Sequence, residues 1–260
     1  MSRGRIDLVG AGPGDPELLT LKALRCLEQA EVVVYDRLVS PEIMALAPVG
    51  ATRISVGKSA GNHTLPQMEI NDLLIRLAVA GHRVVRLKGG DPFIFGRGSE
   101  EALELAQRNI SFDIIPGITA AQGCAAAAKI PLTHRGLSTG ARYITGHCRN
   151  EEELDFDWAG LADPQTTLAV YMGRAHIAEI TSKLMAHGLA ADTPAIAIWR
   201  GTTAKQVELI STLERLAEDT AVVEFDGPLL FFIGKVVGLA RVLNQSTTPM
   251  QERSDAAAIG

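Results

Sequence analysis

The residues best suited to chemistry lie in two glycine-rich stretches, each directly after an apolar run. The first is GAGPGDP at residues 10–16, and the second is LKGGDPFIFGRGSEE at residues 87–101. Glycine allows the backbone to approach a ligand closely. A glycine-rich turn after a strand often holds a pyrophosphate with backbone N–H groups, helped by the positive end of the next helix. The first stretch could therefore be a dinucleotide site.

Two residues of the first stretch, Pro13 and Asp15, argue against a phosphate ligand. Pro13 has no N–H to donate. Asp15 stands where a helix would begin, so its carboxylate would cap that helix but repel a phosphate. The dinucleotide fingerprint also wants a third glycine where Asp15 stands. We expect close backbone approach by a ligand that is not a polyphosphate, and a tight turn without any ligand remains the open alternative.

The elements around these loops predict an α/β fold. Apolar runs at 5–10, 31–35, 52–56, 83–87 and 110–115 alternate with helical patterns, which is typical of a parallel sheet with crossovers. The helix expected from Pro16 to about Gln29 has Asp15 as its cap and Leu18, Leu21, Leu24 and Leu27 on one face. Because both glycine-rich loops follow strands of one sheet, we expect them to line the same cleft, where Asp91 could meet an ammonium or a ribose hydroxyl.

The second half predicts a separate α/β unit. Strands are expected near 141–145, 166–171, 194–199, 205–210 and 229–234, with helices near 119–128, 174–187, 211–219 and 235–243. We therefore divide the chain into an N-terminal α/β domain at 1–116 and a C-terminal α/β domain at 117–245. Residues 246–260 are polar and without pattern, and are expected to form a disordered tail.

Composition excludes several classes of function. The net charge of −5 disfavours nucleic acid as a partner. No apolar run approaches the roughly 20 residues that span a bilayer, and Met1 leads into a strand without a secretory signal, so we expect a cytoplasmic protein. Three cysteines, Cys26, Cys124 and Cys148, lack CxxC spacing, which favours free thiols. The histidines have no paired spacing, and no metal site is predicted.

Several motifs together resemble one family. GAGPGDP, VVVYDRLVS, GGDPFIFGRG, PGITAA, PLTHRG and YMG, spaced as they are here, are similar to the tetrapyrrole methyltransferases that use S-adenosylmethionine. The resemblance runs from about Ile6 to about Leu243. It implies a homodimer of two-domain α/β chains with the cofactor in the cleft between domains. The activity implied is methylation of uroporphyrinogen III at C2 and C7, giving precorrin-2 and S-adenosyl-L-homocysteine, for sirohaem, cobalamin or haem d1 synthesis.

The family's cofactor contacts fall on both halves of this sequence. The resemblance implies cofactor binding by Pro13, Gly89, Gly90, Asp91, Ile94, Thr119, Ala120, Met172, Gly201, Pro228 and Leu229. Two of these have structural alternatives that stay open here. Met172 at a strand end could fill the core, and Thr119 could cap its helix.

Substrate and proton-transfer roles are also implied by the resemblance. Uroporphyrinogen III carries eight carboxylates, so Arg97 and Arg135 are candidate clamps, with Arg37 and Arg149 as weaker ones. Asp36 is the implied proton acceptor and Lys58 the donor. Glu100 is a second acid/base candidate.

Two rival functions remain open at this point. Another methyltransferase of the superfamily, acting on a later precorrin or on diphthamide, would keep the cofactor loops. A nicotinamide-dependent reductase would use Asp36, roughly 20 residues past the first loop, as its ribose-binding acid. Since the sequence starts with the first strand of the methyltransferase, we expect its activity to stop at precorrin-2.

Overall fold

The first half of the chain forms a five-stranded parallel sheet. The structure is a computed structural model that describes residues 4–57, 65–147 and 154–245. The sheet has the strand order β3-β2-β4-β1-β5, and all four of its pairings are parallel. The strands are β1 (Arg5–Gly10), β2 (Val32–Tyr35), β3 (Thr52–Ser55), β4 (Arg83–Lys88) and β5 (Ser111–Ile115). The predicted parallel sheet is confirmed.

Four helices cross over between these strands, and one of them differs from its prediction. They are α1 (Leu21–Glu28), α2 (Pro41–Met44), α3 (Gln67–Val79) and α4 (Gly98–Gln107). The single helix predicted from Pro16 to Gln29 is wrong. Asp15 caps only a 3-10 turn at Pro16–Leu18, and Thr20 caps α1 by accepting the Ala23 N–H at 3.1 Å.

Because Thr20 is the N-cap of α1, the buried face of this helix also differs from the predicted one. The helix buries Ala23 and Leu27, whereas Leu21 is 71% exposed. Leu18 precedes α1 and is only half-buried, as is Leu24. The predicted leucine face is therefore wrong, because it assumed one continuous helical register from Pro16 onward.

The second half forms a mixed sheet with the order β6-β7-β10-β8-β9. Only β6 and β7 pair in parallel; β10 pairs antiparallel with β7 and β8, and β8 with β9. The strands are β6 (Gly140–Thr145), β7 (Thr166–Tyr171), β8 (Pro194–Trp199), β9 (Val207–Thr212) and β10 (Leu229–Ile233). The helices are α5 (Ala120–Ala127), α6 (Trp158–Leu161), α7 (Ile177–Ala186), α8 (Leu216–Ala221) and α9 (Leu239–Gln245).

Strand β9 was predicted at 205–210 and is found at Val207–Thr212. All six residues of β8 pair with β9, from Pro194 opposite Thr212 to Trp199 opposite Val207. The strand therefore continues through residues that were assigned to a helix at 211–219, and α8 begins only at Leu216. Register in an antiparallel pair depends on the partner strand, which local sequence does not reveal.

The chain passes from one sheet to the other between β5 and α5. Helix α5 packs on the second sheet, where Ala121, Cys124 and Ala125 share a buried apolar cluster with Ile196 and Phe232. The predicted fold class, two α/β units with a cleft between them, is confirmed. The predicted tail at 246–260 lies outside the described residues. Within the described ranges, no helix is long and apolar enough to cross a bilayer.

Candidate active site

The two glycine-rich loops meet at one edge of the first sheet. Strands β1 and β4 are parallel neighbours, so both loops leave the sheet at the same end. The Gly12 N–H donates to Gly90 O at 3.1 Å, and the Gly90 N–H donates to Gly12 O at 2.7 Å. The expectation that both loops line one cleft is confirmed.

Close backbone packing explains the glycine at the end of β1. A Cβ on Gly10 would lie 2.5 Å from the Gly117 N atom, a distance that real side chains do not reach. Asp91 stabilises the contact between these two backbone segments, because its carboxylate accepts the Phe93 N–H at 2.8 Å and the Gly117 N–H at 3.1 Å. Its side chain therefore helps to fix the position of the two loops at the cavity.

The second half of the chain closes the cleft from the opposite side. The Asp15 N–H donates to Thr202 Oγ1 at 3.2 Å, and the rings of Phe95 and Tyr171 lie 4.9 Å apart between centroids. The resulting cavity has a volume of about 760 Å³ and is lined by residues from both halves. All eleven residues named for the cofactor line this cavity: Pro13, Gly89, Gly90, Asp91, Ile94, Thr119, Ala120, Met172, Gly201, Pro228 and Leu229.

The two structural alternatives do not describe this arrangement. Met172 is 50% exposed, so it does not fill the core. Thr119 occupies the N-cap position of α5 without a side-chain capping bond. Its Oγ1 lies 2.6 Å from the Tyr171 hydroxyl, which also accepts the Ala121 N–H at 2.9 Å. Burial raises the pKa of Tyr171 to about 12, so the hydroxyl keeps its proton at neutral pH.

Backbone strain is concentrated around the same cleft. Five non-glycine residues there have φ between 47° and 67°: Phe95, Arg97, Met172, Arg200 and Thr202. Three of them line the cavity, and the other two flank Gly201. Conformations of this kind cost free energy and persist where the surrounding structure enforces them, typically at ligand sites.

The lining of the cleft has more basic than acidic residues, and two of the basic ones, Arg86 and Lys88, pair with Glu101 beneath it. The described lining holds five basic and two acidic side chains, Arg37, Arg86, Lys88, Arg97 and Arg174 against Asp36 and Asp91, whereas the chain has a net charge of −5. A concave site with basic walls attracts and retains anions. This arrangement suits a ligand with several carboxylates.

Comparison with known proteins agrees with this geometry. Residues 5–217 match the family described as Tetrapyrrole (Corrin/Porphyrin) Methylases. The chain belongs to this family. It is 55% identical over 237 residues to the uroporphyrinogen-III C-methyltransferase of Paracoccus denitrificans, a match covering 91% of this chain and 83% of that protein.

Two further proteins extend the comparison. The chain is 52% identical over 241 residues to the siroheme synthase of Nitrosospira multiformis, a match covering 93% of this chain and 51% of that protein, so it spans about half the length of that relative. The structure of the uroporphyrin-III C-methyl transferase of Thermus thermophilus complexed with S-adenyl homocysteine has a TM-score of 0.77 and 42% identity, covering 91% of this chain and 100% of that one.

Among the residues assigned to proton transfer, Asp36 lies on the cavity wall of this methylase. Asp36 Oδ1 accepts the Leu38 N–H at 3.0 Å, and Oδ2 lies 4.0 Å from Arg86 Nη2. Lys58 lies outside the described residues. Glu100 is half-exposed and is not among the described residues of the wall; it pairs with Arg97 at 2.6 Å between Arg97 Nη2 and Glu100 Oε2.

The two arginines predicted as clamps lie in different places. Arg97 lines the cavity, and its hydrogen bond to Glu100 raises the pKa of its guanidinium. Arg135 is exposed in the turn that joins His134 to Ser138, and the described part of the cavity wall does not include it.

Sequence reasoning missed a buried charge cluster beneath the cleft, formed by Arg86, Lys88 and Glu101. Lys88 Nζ lies 2.9 Å and Arg86 Nε 3.1 Å from Glu101 Oε1, and all three residues are at most 3% exposed. Two signals were available. Buried cations in a central parallel strand need an anionic partner, and helical spacing puts Glu101 on the same inner face as Leu105.

Proposed function

We propose that this protein methylates uroporphyrinogen III at C2 and C7 with S-adenosylmethionine, giving precorrin-2 and two molecules of S-adenosyl-L-homocysteine. The observation that carries the proposal is one cavity in which the glycine-rich loops, the strained residues and a basic lining meet. The relatives with this activity in their names support it, at 55% identity for the Paracoccus denitrificans enzyme.

The residues of the cavity fit a nucleoside cofactor without phosphates. A volume of about 760 Å³ is within the usual range for small-molecule sites. The first glycine-rich stretch contacts the second half of the chain through the Asp15 N–H. Within this stretch, Pro13 has no N–H to donate to a phosphate. We propose that the eleven cavity residues assigned above hold this cofactor, with the backbone of Gly89, Gly90 and Asp91 as polar partners.

The bound cofactor supplies a methyl group already activated on a sulfonium, so the task of the protein is mainly alignment. We propose that Arg97 clamps a substrate carboxylate at the edge of the cleft, where its planar fork can bind both oxygens. Asp36 then accepts the proton that the methylated pyrrole loses. Lys58 as the proton donor, Glu100 as a second acid/base group and Arg135 as a further carboxylate clamp remain part of the proposal.

We further propose that the protein works as a homodimer in the cytoplasm. The homodimer follows from the resemblance to the tetrapyrrole methyltransferases. A reducing compartment suits both a reduced tetrapyrrole and the free thiols of Cys26 and Cys124. Light scattering on the purified protein tests the dimer.

Calorimetry tests the cofactor assignment. S-adenosyl-L-homocysteine should bind at about one molecule per chain, and NAD and NADP should produce no heat of binding. Tight binding of NADP with no response to S-adenosyl-L-homocysteine would contradict the proposal and favour the reductase.

A further inference from the structure

We propose that Arg86 is the positioning residue of Asp36, and that Glu101 fixes Arg86 in this role. The inference rests on the proposed function, in which Asp36 accepts a proton from the substrate. It concerns Arg86 on β4 and Glu101 on α4.

Two of the three guanidinium nitrogens of Arg86 donate hydrogen bonds. Its Nε donates to Glu101 Oε1 at 3.1 Å, and its Nη1 donates to the carbonyls of Leu87 at 3.2 Å and Val34 at 3.5 Å. With a side chain only 4% exposed, Arg86 has little freedom to rotate. The remaining nitrogen, Nη2, faces Asp36.

Asp36 is held in the complementary way. Its Oδ1 accepts the Leu38 N–H at 3.0 Å, which fixes the carboxylate at the end of β2. Its Oδ2 lies 4.0 Å from Arg86 Nη2. This separation is within the range of an ion pair but longer than a hydrogen bond. Arg86 therefore attracts and orients Oδ2 without occupying it, so Oδ2 can still receive a proton.

Glu101 provides the anchor for this arrangement. It is fully buried, and its Oε1 accepts from Arg86, from Lys88 at 2.9 Å and from Gln67 at 3.2 Å. Burial is the main cause that lowers the pKa of Lys88, and the charge of Arg86 is the second, in a cluster where two cations share one carboxylate. Asp36 supplies the second negative charge.

A carboxylate that must collect a proton at one oxygen needs a fixed direction, because misplacement by about 1 Å can cost two orders of magnitude in rate. The Glu101–Arg86 pair provides that direction from two residues that are at most 3% exposed, whereas the backbone of Gly89, Gly90 and Asp91 is the part proposed to bind the cofactor. Loss of the pair should therefore slow methyl transfer while leaving cofactor binding intact.

Carbon-13 NMR of labelled aspartate carboxyls tests the positioning directly and does not depend on turnover. The Asp36 signal is assigned by its loss in Asp36→Asn. It should move in Arg86→Gln and less in Arg86→Lys, which keeps the charge. Arg215→Gln, which removes an exposed ion pair with Asp219 on α8, is the matched control and should leave the signal unchanged. An unmoved signal in a folded Arg86→Gln protein would overturn the inference.

Single-turnover kinetics give the second readout. Arg86→Gln should slow methyl transfer about 10-fold or more, Arg86→Lys should recover part of the loss, and calorimetry should find near-normal affinity for S-adenosyl-L-homocysteine. In the Asp36→Asn background, Arg86→Gln should cost little more, because the two residues act as one unit. Fully multiplicative losses would contradict the inference. A wild-type protein that transfers no methyl group would contradict the proposed function, while the NMR result would still decide the positioning of Asp36.

Discussion

The Tyr171 hydroxyl lies 2.6 Å from Thr119 Oγ1 and accepts the Ala121 N–H at 2.9 Å. This contact joins the end of β7 to the start of α5, where a free N–H would otherwise be buried. It thereby supplies the cap that the side chain of Thr119 does not provide. Since Thr119, Ala120 and Tyr171 all line the cavity, the contact sets the shape of the cofactor wall.

Replacing this hydroxyl should weaken cofactor binding. Tyr171→Phe keeps the ring against Phe95 but leaves the Ala121 N–H without its acceptor, which should cost about 1–3 kcal/mol of stability. Affinity for S-adenosyl-L-homocysteine should fall several-fold in calorimetry. Tyr143→Phe, whose ring lies 5.9 Å from that of Tyr171, is the control and should bind nearly normally. Equal affinities in both variants would refute this account of the wall.

The junction of the two glycine-rich loops should not tolerate a methyl group. Gly10→Ala would place its Cβ against the backbone of Gly117, and the resulting strain should cost about 1–3 kcal/mol. Gly50→Ala is the control, because no atom lies within 4 Å of the added Cβ. Thermal melting should separate the two variants; a normal melting temperature for Gly10→Ala would mean that the loops have room to shift.

Arg97 should affect the substrate and not the fold. Its ion pair with Glu100 is about half exposed, so Arg97→Gln should change stability by no more than about 0.5 kcal/mol. If Arg97 clamps a carboxylate, the KM for uroporphyrinogen III should rise about 10-fold with unchanged affinity for S-adenosyl-L-homocysteine. Arg215→Gln should leave both values at wild-type level. An unchanged KM in Arg97→Gln would remove the clamp from the proposal.

The Cys124 thiol should resist alkylation in the folded protein. Burial raises its pKa from 9.0 to about 12, so very little thiolate forms at pH 8. Iodoacetamide followed by peptide mass spectrometry should detect modification of Cys124 only after denaturation. Modification of native Cys124 at the rate of a free thiol would contradict its buried position.

The same pKa shift predicts how stability depends on pH. Because the folded pKa of Cys124 lies above the unfolded one, its contribution is complete below about pH 9 and is lost as pH rises toward about 12. Cys124→Ala should therefore show a weaker loss of stability than the wild type over that interval, measured by urea unfolding. Identical slopes for both proteins would argue against the shift.

The cleft itself was predictable from the sequence, because local patterns determined it. Pro13 and Asp15 excluded a phosphate register, and the two glycine loops followed strands whose parallel order places them at one edge. The family motifs then pointed to residues that the fold brings into one cavity, from Pro13 in the first half to Leu229 in the second.

Features that depend on tertiary pairing were not predictable in this way. The register of β9 follows from its partner β8, and the second cap at Thr20 splits the expected first helix. The acid beneath the cleft is Glu101, one position from Glu100, which the sequence analysis named only as a second acid/base candidate. The orientation of α4 against β4 buries the carboxylate of Glu101 and leaves that of Glu100 exposed, and the helical spacing of Glu101 and Leu105 was the sequence signal for it.

The central claim is tested most directly by counting methyl groups. The purified protein, S-adenosylmethionine with a carbon-13 methyl group and uroporphyrinogen III prepared enzymatically under anaerobic conditions are incubated together, and the tetrapyrrole is analysed by mass spectrometry and NMR. The account predicts two labelled methyl groups per tetrapyrrole, at C2 and C7, with two molecules of S-adenosyl-L-homocysteine released. A tetrapyrrole without label, from a folded protein that binds the cofactor, would contradict it.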